Sequence, residues 1–420
     1  MSFTSFLDGT RWSDIHTTAV CAFLAGTAMF TADFALLLRL QTAGHGGIAV
    51  ASLIICATLP LVVLAPITGR LADRFDSRTL MVLSGVLQAG AIAAMAFTDD
   101  LFALLGLVVL NACGTALLQP TVGALTPLMA TEADLPRAVA FVSSGNLLGM
   151  AAGPAAAGFI IGAHGVGAAL AISAGCAALR ALLCCDIRTR RGGTRRERVD
   201  RHRSPTAAWR LRDDRMLLTM VLGLSSVLAA LCAVNVLSVF LVREVYDASE
   251  STFGLVRACW TVGMAGGAWI AAAVIARLKR DSQLAGMQMI CLAGIGVVAF
   301  MQGIPLFTVF LLVPLNLFGG LFNAGENAAL ANAEARRVPE ALRGQANAGV
   351  SAPLNAAQLI GFFLGGAMST VLDVQLSFVL VGLISIAIAA ACVPAIRRAA
   401  RAEPRDGVPA DAQPELAPVA

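Results

Sequence analysis

Ionisable side chains are scarce in this chain: Asp, Glu, Lys and Arg make up 13% of its 420 residues, about half the share of an ordinary soluble domain. Lysine is nearly missing, with Lys279 alone against 29 arginines, and Tyr246 is the single tyrosine. The four histidines, His16, His45, His164 and His202, lie far apart, near the ends of apolar runs or in polar stretches. No HExxH, no P-loop and no GxGxxG opening a helix after a strand occurs, so the signatures of zinc hydrolases, nucleotide-driven pumps and dinucleotide enzymes are absent. The ten cysteines form no CxxC pair and no Cys/His cluster, and nearly all sit inside apolar runs as small hydrophobes. The chain reads as a non-enzyme without metal or cofactor. The first apolar run is too long for a signal peptide and has no basic region before it, so the first spans themselves carry the targeting.

What is abundant is apolar length. Hydrophobic residues reach 58%, mean hydropathy is +0.79, and the charges are segregated so that stretches of about 20 residues carry none or one. A helix satisfies its own backbone hydrogen bonds in lipid, so these stretches read as membrane helices. Charge and Gly/Pro punctuation give twelve spans, near 17–40, 46–68, 79–98, 101–128, 138–163 and 166–186, then 216–242, 252–278, 284–303, 305–330, 344–371 and 374–396. With the N-terminus inside, 27 of the 30 basic residues fall on the cytoplasmic side, leaving Arg39, Arg243 and Arg257 near the other face. That distribution obeys the positive-inside rule and places both termini in the cytoplasm of a cell whose inner membrane holds the protein.

Residues 188–215, with eleven arginines, divide a first six-helix half (1–187) from a second (216–397). This basic stretch reads as a cytoplasmic linker that fixes topology, and not as a nucleic-acid site; its other reading is a contact with anionic lipid. The Pro/Ala-rich tail, 398–420, reads as disordered. The halves repeat weakly. "LLLR" ending at Arg39 parallels "FLVR" ending at Arg243, and "VLNACGTALL" from Val109 parallels "PLNLFGGLFN" from Pro314, aligning Asn111 with Asn316 and Gly114 with Gly319. "LPRAVA" from Leu135 and "LRGQAN" from Leu342 then open spans five and eleven. Two halves of like orientation imply a pseudo-twofold axis along the membrane normal, with a site between them. The expected architecture is all-α: twelve transmembrane helices in two parallel, pseudo-symmetric bundles of six.

Between spans two and three stands "GRLADRFDSR". It resembles the loop motif of the major facilitator superfamily, G-x-x-x-D-R/K-x-G-x-R/K, with Gly69, Asp73, Arg74 and Arg78 in register and Asp76 where the family usually has Gly. In span five, "GNLLGMAAGPAAAG" resembles the motif of the family's exporters and antiporters through Gly145, Gly149, Gly153, Pro154 and Gly158. The whole chain is similar to the branch holding drug, macrolide and siderophore exporters. The resemblance implies that Asp73 latches onto the N-terminal end of span eleven when the cytoplasmic side closes, where a carboxylate gains from free N–H groups and the helix dipole. Asp76 is then expected in a left-handed turn, which Asp adopts at some cost. Asn111 stands where many proton-driven drug antiporters carry an arginine.

Two carboxylates fall well inside apolar runs, Asp33 in span one and Glu326 in span ten. Burying a carboxylate is costly, so each is protonated, paired or faced with water, which suits a proton-coupling group and equally a group that satisfies a neighbouring Asn or Arg. In span eleven Asn347, Ser351, Asn355 and Gln358 share a helix face about 80° wide. Span ten adds Asn316, Asn323 and Asn327, and span four Asn111 and Gln119. Such amides line a cavity or tie helices together. The three outer arginines either attract an anionic solute or snorkel to the interface. The resemblance and these residues lead to a monomeric, proton-coupled exporter of a small amphipathic organic molecule working by alternating access. The rivals are an importer of the same fold and a non-transporting scaffold or receptor.

Overall fold

The computed structural model describes residues 9–191, 210–305, 308–339 and 342–402, and within these nothing is described of the side chains at positions 73, 344, 345 and 402. Most of the basic linker, the tail beyond 402 and the Asp73 latch contact therefore lie outside the described residues. The helices are α1 (Trp12–Thr42), α2 (Gly47–Val63), α3 (Ala65–Arg74), α4 (Ser77–Met95), α5 (Leu101–Leu125), α6 (Leu135–Cys184), α7 (Arg215–Phe240), α8 (Glu250–Ile275), α9 (Asp281–Gly303), α10 (Leu312–Arg337), α11 (Arg343–Val371) and α12 (Val374–Ala402). Ten are long and apolar enough to cross a bilayer, and the bent pair α2–α3 makes an eleventh crossing. Helix α6 is 50 residues long, about 75 Å at 1.5 Å per residue, far more than one crossing of a core about 30 Å thick. At Gly165, φ of 81° and ψ of 172° break it into two helices, a conformation that only glycine takes without strain. The architecture is the expected one, twelve helical passes in two bundles.

Three local expectations need correction. Gly69, Asp73 and Arg74 are not in a loop but in the short helix α3, bent 52° from α2 at Leu64, while Arg78 lies in the first turn of α4. Pro66 sits in the first turn of α3, where its missing N–H costs nothing and its fixed φ favours helix. Asp76 is extended (φ −61°, ψ 126°) and not left-handed; it caps α4, accepting from the Thr79 N–H and the Thr79 hydroxyl, each at 3.1 Å. The tenth span is displaced toward higher numbers, because a short turn at Val309–Leu311 precedes α10. Other helix starts repeat the capping device: Asp100 accepts from Ala103 N–H at 2.7 Å and Asp214 from Leu217 N–H at 3.0 Å.

Packing follows the internal repeat. In the first half α4 packs on α5 and α6, and α2 on α5; in the second half α9 packs on α10 and α12, and α8 on α10. Helix α1 lies along α6 as α7 lies along α11 and α12. The halves meet through α2 against α11 and α6 against α8, which exchange under a twofold operation. Apolar burial divides unequally between the two ends of the molecule. At the end opposite the arginine-rich turns, one buried cluster runs through both halves and includes Phe34, Val50, Val236, Phe240 and Phe253. At the basic end there are two separate clusters, one around Ile15, Met81 and Leu125, the other around Met220, Leu284 and Ala333. The halves are thus closed together at the opposite end and cored separately at the basic end. Bulky side chains such as Trp269, Leu182 and Phe363 are exposed, a placement suited to lipid and costly in water.

Each half holds a wholly or partly buried arginine with hydrogen-bonded partners of its own. Arg180 is fully buried, its Nη2 donating to Gln88 Oε1 at 2.6 Å, while Gln88 Nε2 donates to Thr115 Oγ1 at 2.7 Å. It is a core residue of the first half, not one of the topology-setting charges at the surface. In the second half Arg337 ties three helices at the basic end, with Nε 2.6 Å from Asp214 Oδ2 and Nη1 3.1 Å from Asp281 Oδ2. Replacing Arg337 by Met leaves two partly buried carboxylates without that partner. The expected loss is about 2–3 kcal/mol, read as a lower melting temperature of the detergent-solubilised protein with its helical circular dichroism retained before heating.

Candidate functional site

A cavity of about 410 Å³ lies where the halves meet. The first half contributes Phe30 from α1 and Met150 and Pro154 from α6; the remaining lining side chains come from the second half. Its walls are largely apolar and aromatic, with Phe30, Trp260, Phe362 and Phe378 supplying the rings. Polar atoms enter from Asn235 on α7, Gln302 on α9, Asn316 and Asn323 on α10 and Gln358 on α11. Among the described lining residues Arg257 is the one charged side chain. A mainly apolar space with few convergent polar groups is the usual form of a small-molecule site.

Arg257 departs from its expected place near the outer face. Its Nη1 donates to Asn235 Oδ1 at 2.9 Å and it lines the cavity. The signal in the sequence is its depth: eight residues from the Ser249 cap of α8, about 12 Å along the axis, is far for snorkelling. The other two arginines of that end hold loops. Arg39 donates to the carbonyls of Met95 (2.7 Å) and Thr98 (2.6 Å) and pairs with Asp99 (2.6 Å). Arg243 pairs with Glu250 at 2.7 Å and donates to the Ala248 carbonyl.

Asp33 lies one turn along α1 from Phe30, on the same side of the helix. The charge that acts on its carboxylate is Arg257. No direct ion pair joins them among the described residues, so the attraction runs across space between α1 of one half and α8 of the other. Glu326 sits behind the cavity wall, 2% exposed. Its Oε1 accepts from Asn323 Nδ2 at 3.1 Å and Asn327 Nδ2 at 2.8 Å, and its Oε2 has no protein partner among the described residues. Asn323 therefore links the cavity to this buried carboxyl.

The remaining amides divide into two groups. On α11, Gln358 lines the cavity, and Asn355, Ser351 and Asn347 continue its face toward the basic end, with Ser351 Oγ donating to Asn347 Oδ1 at 2.9 Å. On α10, Asn316 and Asn323 line the cavity and the exposed Asn327 lies further along. Each of these two faces carries polar groups from the cavity toward the basic end. Asn111 does not join them: it is buried within the first half, where its backbone carbonyl accepts from Gln88 Nε2 at 3.4 Å and its side-chain Oδ1 has no hydrogen-bond partner among the described residues. Gln119, on α5, is exposed and does not line the cavity.

The span-five glycines are placed by close approach. A Cβ on Gly145 or Gly149 would overlap the Ala19 or Phe23 carbonyl of α1, and one on Gly153 would come within 2.8 Å of Phe30 Cβ. Gly158 faces α8 instead, where a Cβ would lie 2.6 Å from the Glu250 carbonyl oxygen, and the reciprocal Gly254 abuts the Pro154 carbonyl. The seam between the halves at the closed end is thus backbone against backbone, with the Phe34 and Phe253 rings stacked beside it at 4.7 Å.

Two helical bundles around a shared cavity, closed together at one end, define a secondary transporter of the alternating-access kind. The profile of the Major Facilitator Superfamily matches residues 18–313 and 222–418. The chain belongs to that superfamily and is a multi-pass membrane transporter, not an enzyme. It is similar to the uncharacterized MFS-type transporter YfiS of Bacillus subtilis (strain 168), 32% identical over 125 residues; that match spans 30% of this chain and 30% of the relative's length. Among solved structures it resembles a point mutant of the nucleoside transporter NupG with a TM-score of 0.73, at 14% identity over 91% of this chain and 99% of that one. A bacterial homologue of the human lysosomal transporter Spinster, inward-facing and unoccupied, gives 0.73 at 13% identity over 93% and 98%. A bacterial homologue of the iron transporter ferroportin gives 0.68 at 19% over 92% and 98%.

Because the seam leaves no room for a side chain, Gly254→Val is expected to hold the halves apart at the closed end. Pulsed electron resonance between spin labels at Gly46 and Thr370, on either side of the α2–α11 seam, reads this as a longer distance than in the parent protein.

Proposed function

We propose that the chain is a proton-coupled exporter of a small amphipathic organic molecule. The observation that carries the reading is a mainly apolar cavity between the halves whose one charged side chain among the described lining residues is Arg257, with Asp33 on α1 one turn from the lining Phe30. Protonation of Asp33 removes an attraction between α1 and α8, so the balance between the two arrangements of the halves follows proton occupancy. A solute whose polar group engages the ionised carboxylate competes with the proton, and that mutual exclusion is what antiport requires. The aromatic walls accept the apolar body of the solute, and the amides of α10 and α11 take its hydrogen-bonding groups. Glu326, reached through Asn323, is the second coupling group.

The basic end is read as cytoplasmic by the positive-inside rule, so the cavity described here faces the cytoplasm, with both termini on that side of a bacterial inner membrane. The span-five glycine-proline pattern supports export, and the Asp73 contact with α11 would latch the cytoplasmic side once the solute has left. Inverted membrane vesicles test the reading with a fluorescent amphipathic dye. Accumulation that collapses on adding a protonophore is expected for the parent protein. Asp33→Asn is expected to lose accumulation driven by a pH gradient by on the order of tenfold or more while retaining dye-for-dye exchange. Undiminished coupling in that variant would remove Asp33 from the mechanism.

A further inference from the structure

On the outer surface of the second half, away from the transport cavity, α9 and α12 leave a groove of about 610 Å³. Small residues make it: Gly286 and Ala293 on α9, Ala389 and Ala390 on α12. Nothing lies within 4 Å of the position a Cβ on Gly286 would take, so the space is open and unfilled by the fold. Exposed apolar side chains flank it, Ile290 being 69% exposed.

The groove has a direction and a length. Along α9 it runs from Ser282 to Ala293, about 17 Å at 1.5 Å per residue. Half of a hydrocarbon core about 30 Å thick is about 15 Å, so the groove is one leaflet deep. At its basic end it is lined by Arg397 and Arg401, four apart on one face of α12. Exposed Arg277, Lys279 and Arg280 stand at the same end, just before α9. The neighbouring acid, Asp281, is already engaged by Arg337 at 3.1 Å and by Arg336 at 3.9 Å. No acidic side chain lines the groove among the described residues.

We propose that this groove binds one anionic phospholipid, its acyl chain lying along Gly286 to Ala293 and its phosphate held by Arg397 and Arg401. The chain chemistry follows from an apolar trough that stops at mid-bilayer. The head chemistry follows from two guanidinium groups, whose planar donors match phosphate oxygens. A lipid of net negative charge is selected over a zwitterionic one because the surrounding basic residues repel an ammonium group. A second copy of this chain would bury the apolar walls but would bring the same arginine cluster against itself.

The test is native mass spectrometry of the purified, delipidated full-length protein titrated with phosphatidylglycerol or phosphatidylcholine of identical acyl chains. The expected result is one tightly retained phosphatidylglycerol, preferred on the order of tenfold. Arg397→Gln with Arg401→Gln is expected to erase the preference. Gly286→Leu, whose Cβ has no atom within 4 Å and whose side chain enters the trough, is expected to displace the lipid with the melting temperature of the lipid-free protein unchanged. Equal retention of both lipids by the parent protein, or unchanged phosphatidylglycerol binding in either variant, would overturn the proposal. So would a Gly286→Leu variant that changes oligomeric state and keeps its lipid, since the groove would then belong to a contact between copies.

Discussion

Hydrocarbon offers no partner to a polar group, and the cost of leaving one unpaired there organises the whole molecule. It explains why so few charges are present, and why several of those inside the bundles hold a specific hydrogen bond. Arg180 meets Gln88, Arg257 meets Asn235, and Glu326 collects two amides from its own helix. The same cost makes the few polar groups of the shared, mainly apolar cavity a functional element, because they are retained at the expense of a simpler apolar core.

The first and second halves share a packing plan but not a chemistry. In the first half the buried polar groups serve structure: Arg180 gathers Gln88, Thr115 and the backbone of Asn111 into the interior. In the second half they open toward the cavity, and the faces of α10 and α11 extend its polarity to the basic end. Most of the cavity wall thus belongs to one half, with α1 and α6 closing over it from the other. Motion of one half against the other then changes the exposure of the site more than its composition.

Much of this is legible in the sequence. Apolar runs of membrane length and the arginine pattern mark the helices, and most of their boundaries to within a few residues, because both are dictated by the bilayer and not by partners; the tenth span, displaced by the turn before α10, is the main exception. The face shared by Asn347, Ser351, Asn355 and Gln358 is legible too, since helical periodicity alone fixes it. What cannot be read is which neighbour each polar group faces. Asn111 and Asn316 align in the repeat, yet one is buried within the first half and the other lines the cavity. Matching Asp76 to a family position assigns it a turn, whereas the local sequence, Asp followed three residues later by Thr79, already describes a helix cap. Topology groups Arg257 with Arg39 and Arg243, although only it lies deep in a helix.

The seam at the closed end joins backbone to backbone through Gly158, Gly254 and Pro154. Such a joint carries no chemical preference for any cargo. Apart from Pro154, which belongs to both, the side chains that line the cavity lie outside this joint and can be exchanged without disturbing it. A transporter built this way keeps its hinge under one set of constraints and its selectivity largely under another, so a new cargo can be acquired by a few substitutions in α7 to α12 while the closing device is inherited intact.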